Sequence, residues 1–91
     1  MKKIQSLPTP DLSLPLSAPL LGQAIRARRT QSALKLEDAA ALCGVAKQTL
    51  SNIEHGAETT QLATLLQVCS ALGIQLSIQP WHQQQQAEEW S

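Results

Sequence analysis

Residues 34–56 read LKLEDAAALCGVAKQTLSNIEHG. Leu36, Ala39, Ala40 and Cys43 fall at i, i+3, i+4 and i+7, which marks one face of a short helix. Gly44 follows, a residue that turns into left-handed backbone without steric cost. A second short helix, about Ala46 to His55, comes next, and Gly56 ends it. At 100° per residue, Lys47, Gln48, Ser51 and Asn52 share an arc of about 140°. Ala46, Thr49, Leu50 and Ile53 fill the opposite side. One face of this helix can therefore pack while the other offers donors and acceptors outward.

Upstream, Leu21, Ala24, Ile25 and Arg28 recur at helical spacing and predict a helix from Ala18 to about Gln31. Residues 1–17 hold three of the five prolines, among Ser, Thr and Leu, and read as an irregular or extended arm. Its leucines, Leu7, Leu12, Leu14 and Leu16, have no period. Downstream, Thr59 or Thr60 is a plausible N-cap for a fourth helix with Leu62, Leu65, Leu66, Cys69 and Leu72 on one face. Gly73 stops it. The period then changes to 2: Ile74, Leu76 and Ile78 alternate with Gln75, Ser77 and Gln79, and Pro80 closes the run. This pattern predicts a short half-buried strand. Nothing else in the chain reads as strand, and an unpaired edge leaves backbone donors and acceptors unmet. Pairing with the same strand of a second copy is the simplest remedy, so Ile74, Leu76 and Ile78 become candidate dimerisation residues. The expected organisation is an arm at 1–17, one mainly α domain at 18–80 and a Gln-rich tail at 81–91.

Composition narrows the function. The 91 residues carry seven Lys+Arg and seven Asp+Glu, and 43% are hydrophobic, so global disorder is not expected. Phe and Tyr are absent and Trp81 and Trp90 are the only aromatics, so the core must be aliphatic. Roughly 60 ordered residues make a marginal core alone, which again favours a dimer. No apolar run approaches the roughly 18 residues of a membrane span, and the proline-broken N-terminus makes a poor secretion signal. The expected location is the cytoplasm. Cys43 and Cys69 fall in helical patterns and read as small buried hydrophobes, not as a disulfide framework or zinc site. His55 and His82 lack ligand partners at metal spacing. No cofactor is implied, and the absence of a nucleophile–base set, paired carboxylates or a phosphate-cradling glycine loop argues against an enzyme. Charge is uneven: Arg26, Arg28, Arg29, Lys35 and Lys47 outnumber Glu37 and Asp38 in the middle, while Glu88 and Glu89 make the C-terminal tip acidic.

Two short helices about a glycine turn are the helix-turn-helix signature, whose second helix lies in the DNA major groove. Gln48 can bond an adenine edge twice and Lys47 can reach guanine or a phosphate. Ser51 and Asn52 are short enough for close approach, and Thr49 is included with them. Arg26, Arg28, Arg29 and Lys35 are candidate phosphate contacts, which position a domain without reading sequence.

Residues 20–72 resemble the Cro/C1 (XRE) helix-turn-helix family. The carriers are Ile25-Arg26 with Arg29, Leu34, Ala40, Leu42-Cys43-Gly44-Val45, Thr49-Leu50-Ser51-Asn52-Ile53-Glu54 and Gly56. The resemblance implies a five-helix DNA-binding domain, a recognition helix at 46–54 and an inverted-repeat operator. The sequence departs from the family at two places: Leu36 stands where a Gln usually opens the second helix, and Ala46 stands where Ser or Thr often caps the recognition helix.

The order of helix-turn-helix, Thr-Thr-Gln-Leu before the fourth helix, strand at Ile74–Gln79 and Gln-rich tail ending in Glu-Trp is similar to the HipB-like antitoxins. That resemblance implies a homodimer closed by an intermolecular two-stranded β-lid and repression of its own toxin–antitoxin operon. It also implies a HipA-like serine/threonine kinase partner, with Trp90 and Glu89 at the kinase-binding position. Trp81 is expected to pack on the lid. Three alternatives stay open: a stand-alone XRE regulator, a HipB-like repressor that leaves neutralisation to a separate small protein, and a protein-interaction module that no longer touches DNA.

Overall fold

The computed structural model describes residues 4–81. Four helices follow one another: α1 (Ala18–Gln31), α2 (Leu36–Cys43), α3 (Lys47–Glu54) and α4 (Leu62–Leu72). Each begins and ends for a local reason. Ser17 caps α1, its hydroxyl accepting the Leu20 N–H at 3.2 Å, with Pro19 in the first turn, where its missing N–H costs nothing. Glu37 and Asp38 occupy the first turn of α2, where negative charge opposes the helix dipole. Gly44 ends α2 at φ 72°, and Val45 N–H returns to Ala40 O at 3.0 Å. A side chain is rarely tolerated in that conformation.

Leu21 and Ile25 of α1, Ala39, Ala40 and Cys43 of α2, Leu50 and Ile53 of α3, and Val68, Cys69 and Leu72 of α4 form one core. Ile25, Leu50, Val68 and Cys69 are its largest fully buried side chains. α1 packs on α3 and α4, and α2 packs on the same two helices. The two cysteines are free and buried, as small hydrophobes would be. Burial raises both thiol pKa values, and each thiol lies close enough for Cys43 to add to the effect on Cys69.

Three expectations change. The fourth helix is capped by Gln61, not Thr59 or Thr60, and no side chain closes that cap. The helix starts where its buried face meets the core, one turn before Leu65, and the threonines lie outside it. Four α-helices, not five, occur among the described residues, since after Gly73 the chain has no further 3.6-residue apolar period. Residues 74–79 form no strand in the single chain: a ladder needs a second edge, and none of the described residues supplies it. The alternation survives all the same. Ile74 and Leu76 pack against the core, while Gln75, Ser77 and Gln79 are exposed. Ile78 is exposed as well.

Before α1, residues 4–16 run without helix or strand. They are tied to the end of α1. Leu7 N–H donates to Thr30 Oγ1 at 3.0 Å, and Gln31 Nε2 donates to Leu7 O and Thr9 Oγ1, both at 2.9 Å. No helix among the described residues is long and apolar enough to cross a membrane.

Candidate nucleic-acid interface

The outward face of α3 carries the residues expected to meet DNA. Lys47, Gln48 and Asn52 are exposed, and Ser51 and Thr49 are half-buried at its margins. Leu50 and Ile53 anchor the opposite face in the core. Ala46 caps the helix with no side-chain hydrogen bond, so the first N–H groups of α3 lack a side-chain partner at the end that a major-groove helix presents to bases.

Gln48 and Asn52, one turn apart, are joined: Gln48 Nε2 donates to Asn52 Oδ1 at 2.9 Å. An amide nitrogen has two protons and its carbonyl oxygen two lone pairs. The bond therefore consumes one Gln48 proton and leaves one N–H beside a free Oε1. A donor and an acceptor side by side are what an adenine edge requires. The two Asn52 Nδ2 protons remain available for a neighbouring acceptor such as a phosphate oxygen. At the far end of the helix His55 Nδ1 lies 2.7 Å from Ser51 O, which can only accept, so the ring donates there.

The position of α3 is fixed from beneath. Arg29 of α1 donates from Nε to Glu54 Oε2 at 2.6 Å and from Nη2 to Glu54 Oε1 at 2.9 Å, and its Nη1 donates to Leu34 O at 2.9 Å. The Arg29 and Glu54 side chains are 11% and 4% exposed. One guanidinium thus holds the last residue of α3 and the loop that starts α2. Arg29 was expected to hold a phosphate; the structure turns it inward instead, because it lies in line with Leu21 and Ile25 at i+8 and i+4. Arg28 is also engaged: its Nε donates to Leu72 O at 2.9 Å, at the end of α4. Arg26, on α1, and Lys35, which caps α2, are exposed, and their side chains have no hydrogen bond or ion pair among the described residues. Among the described residues, the cationic side chains without a hydrogen bond or ion pair are therefore Lys47, Lys35 and Arg26.

Gly22 went unremarked in the sequence and is decisive for this geometry. A Cβ built there would stand 2.5 Å from Ile53 O and 2.8 Å from Glu54 O. α1 and the end of α3 approach backbone to backbone, a distance only glycine permits. The available signal was a glycine inside a strongly helical run, where it costs about 1 kcal/mol relative to alanine unless packing requires it.

Ile74, Leu76 and Ile78 lie on the side of the domain reached through α4 and Gly73, along a groove that also borders α1 and the arm. They are not part of the α3 face. Trp90 and Glu89 lie outside the described residues. No group of three or more metal-ligating side chains occurs among the described residues.

The helix-turn-helix family model matches residues 25–79, from the buried Ile25 of α1 through the extended segment after α4. No curated protein matches the chain.

Proposed function

The chain belongs to the XRE type of helix-turn-helix family, whose members are DNA-binding transcriptional regulators, and from that premise we propose a sequence-specific repressor that acts as a homodimer on an inverted-repeat operator. The observation that carries the reading is the α3 face: an exposed Lys47, Gln48, Asn52 row, an amide pair joined at 2.9 Å and a buried ion pair beneath it. In the proposed complex each protomer inserts α3 into successive major grooves about one turn apart. Lys47, Gln48 and Ser51 read bases, and Thr49 lines the margin. Asn52, Lys35 and Arg26 hold phosphates. Pairing through Ile74, Leu76 and Ile78 sets the two copies as a dimer. Bound to its own promoter, the dimer blocks transcription.

We further propose that the operon is a toxin–antitoxin module and that the protein also binds a HipA-like kinase through the Glu89-Trp90 end of its tail. This part rests on the order of elements and on the tail sequence: a large aromatic on a polar tail suits a partner's pocket. A stand-alone regulator of the same family is the second reading. It needs only the helix-turn-helix that the family model matches, residues 25–79.

The deciding experiment is a gel shift with the DNA upstream of the protein's own gene, at ~0.15 M salt with competitor DNA. A discrete shift of an inverted-repeat fragment, lost in Lys47→Ala/Gln48→Ala, is expected. No specific shift for the wild-type chain would overturn the repressor reading. Deleting residues 82–91 separates the two versions: DNA binding should persist in both, and only the antitoxin loses its kinase in a pull-down.

A further inference from the structure

One long groove, about 870 Å³, runs along α1 between two extended segments. One wall is Thr9 and Leu12 to Leu16 of the arm, and the other is Gly73 to Gln79. The arm turns its leucines outward: Leu12 is 63% exposed, Leu14 55% and Leu16 65%, and Ile78 on the opposite wall is 86% exposed. A contiguous apolar strip of this kind on a small domain marks an interface.

We propose that the groove seats residues 74–79 of a second copy of the chain, so that the N-terminal arm is a dimerisation element together with the 74–79 segment. The inference rests on the homodimer of the proposed function and adds to it the arm, the edge of pairing and the register.

The argument begins with the backbone. Ile74 N–H reaches back to Cys69 O at 2.8 Å, but Gln75 to Gln79 make no hydrogen bond among the described residues. Their donors and acceptors form an open edge. An antiparallel pair of identical segments about a two-fold axis must place apolar side chains on one face, and a slip of one residue would set apolar against polar positions. Centring the pair on Leu76 sets Ile74 opposite Ile78 of the second copy, Leu76 opposite Leu76 and Ile78 opposite Ile74. No other register matches all three.

The segment alone is not enough. A two-stranded ribbon is marginal in water, and a specific interface buries about 800 Å² on each partner. The arm supplies the missing apolar surface, directly across the groove. It is already held in place by the bonds of Leu7 and Gln31 described above, so its ordering is not left to the binding step. Segment 74–79, IQLSIQ, has no charge, and the arm residues that line the groove, Thr9 and Leu12 to Leu16, carry none either; Arg28 of α1 is the one charged lining side chain. The other edge of the segment faces a second cleft of nearly the same volume beside α4, but there Leu66 is the one large exposed apolar side chain. The arm side is therefore the better seat.

The test is sedimentation equilibrium of the full chain, with Leu12→Ser/Leu14→Ser/Leu16→Ser and Leu66→Asp beside the wild type. Circular dichroism checks that each keeps its helices; the arm leucines lie outside the core. The expected result is a wild-type dimer whose dissociation constant rises at least about tenfold in the arm variant and little in Leu66→Asp. A wild-type dimer unaffected by the arm variant would overturn the arm's role and leave the dimer standing. Loss of dimer in Leu66→Asp alone would move the contact to the α4 side and overturn the groove assignment. A monomer at every concentration would overturn both readings. As a second readout, a Leu14→Cys chain is mixed with an Ile78→Cys chain under mild oxidation. A mixed disulfide between the two chains is expected, and its absence where the wild type is dimeric counts against the groove.

Discussion

Arg29 and Glu54 meet end to end, guanidinium to carboxylate, through two hydrogen bonds of 2.6 and 2.9 Å with both side chains nearly out of solvent. Paired in this geometry they stabilise each other; alone, either is a buried charge with no counterpart. Removing one partner of such a pair costs about 3–5 kcal/mol, which is most of the stability expected of so small a domain. Arg29→Ala and Glu54→Ala should each lower the urea midpoint severely. Arg29→Met/Glu54→Leu should recover much of the loss, because no charge is then stranded. An unfolding free energy for Arg29→Ala within about 0.5 kcal/mol of wild type would show that the pair is dispensable. DNA affinity in Arg29→Ala should also fall in the fraction that stays folded, because the end of α3 loses its brace.

Gly22→Ala places a methyl group against two backbone carbonyls at the end of α3. Backbone cannot step aside as a rotamer does. The helix gains about 1 kcal/mol of propensity, but the overlap forces the end of α3 to shift. The expected outcome is a net loss of about 1–3 kcal/mol together with weakened operator binding in the fraction that stays folded. Thermal melts and a gel shift on the same sample check it. An alanine variant with unchanged melting and unchanged affinity would mean that α1 and α3 separate easily.

Gln48→Ala and Asn52→Ala are expected to differ in kind. In the proposed complex the Gln48 amide meets a base edge, so discrimination at one base pair of each half-site should fall by about 1–3 kcal/mol on its loss. Asn52→Ala removes a brace and a candidate phosphate contact, so it should weaken all sequences with a smaller change in preference. Because the two side chains are joined, the double variant should not show the sum of the single effects. Binding to a panel of singly altered operators reads this directly. Equal loss at every sequence for Gln48→Ala would sink the base-reading role.

The buried thiols give a pH dependence. Burial raises the pKa of Cys43 and of Cys69 above the free-thiol value of 9.0. The unfolded chain therefore loses its thiol protons first as pH rises. Their contribution to stability is complete below about pH 8 and declines as pH passes 9 towards the raised folded values. Urea titrations between pH 7 and 10 should show the fall, and Cys69→Ala should flatten it. Both thiols should also resist alkylation until the domain unfolds.

The helices were legible because glycines and apolar spacing coincide. Gly44, Gly56 and Gly73 fall where helices end, each at positive φ, and Leu50, Ile53 and Cys69 lie inward where the period placed them. The arginines were not legible by residue type, since charge suggests solvent. Spacing held the answer, because Arg29 continues the Leu21–Ile25 line and Glu54 follows Leu50 by one turn. The start of α4 escaped because threonines are good caps in general, yet the helix begins at Gln61 with no side-chain bond. Gly22 was hidden for another reason: what excludes its Cβ is a carbonyl pair 31 and 32 residues away, which no local pattern encodes.

Arg28 and Arg29 are neighbours on α1 with separate tasks. Arg28 holds the carbonyl of Leu72, where the chain leaves α4 towards Gly73 and the extended segment. Arg29 holds the end of α3. With the segment as the proposed dimer contact, two adjacent residues of α1 tie the end of α3 to the point where that segment begins. Such a protein tolerates little variation in the pitch of its target. Inserting one base pair between half-sites turns one of them by about 34°, and a helix tied in this way is expected to lose its contacts rather than follow that rotation. Operator spacing, more than any single base, should then be the harshest filter on where this protein settles in a genome.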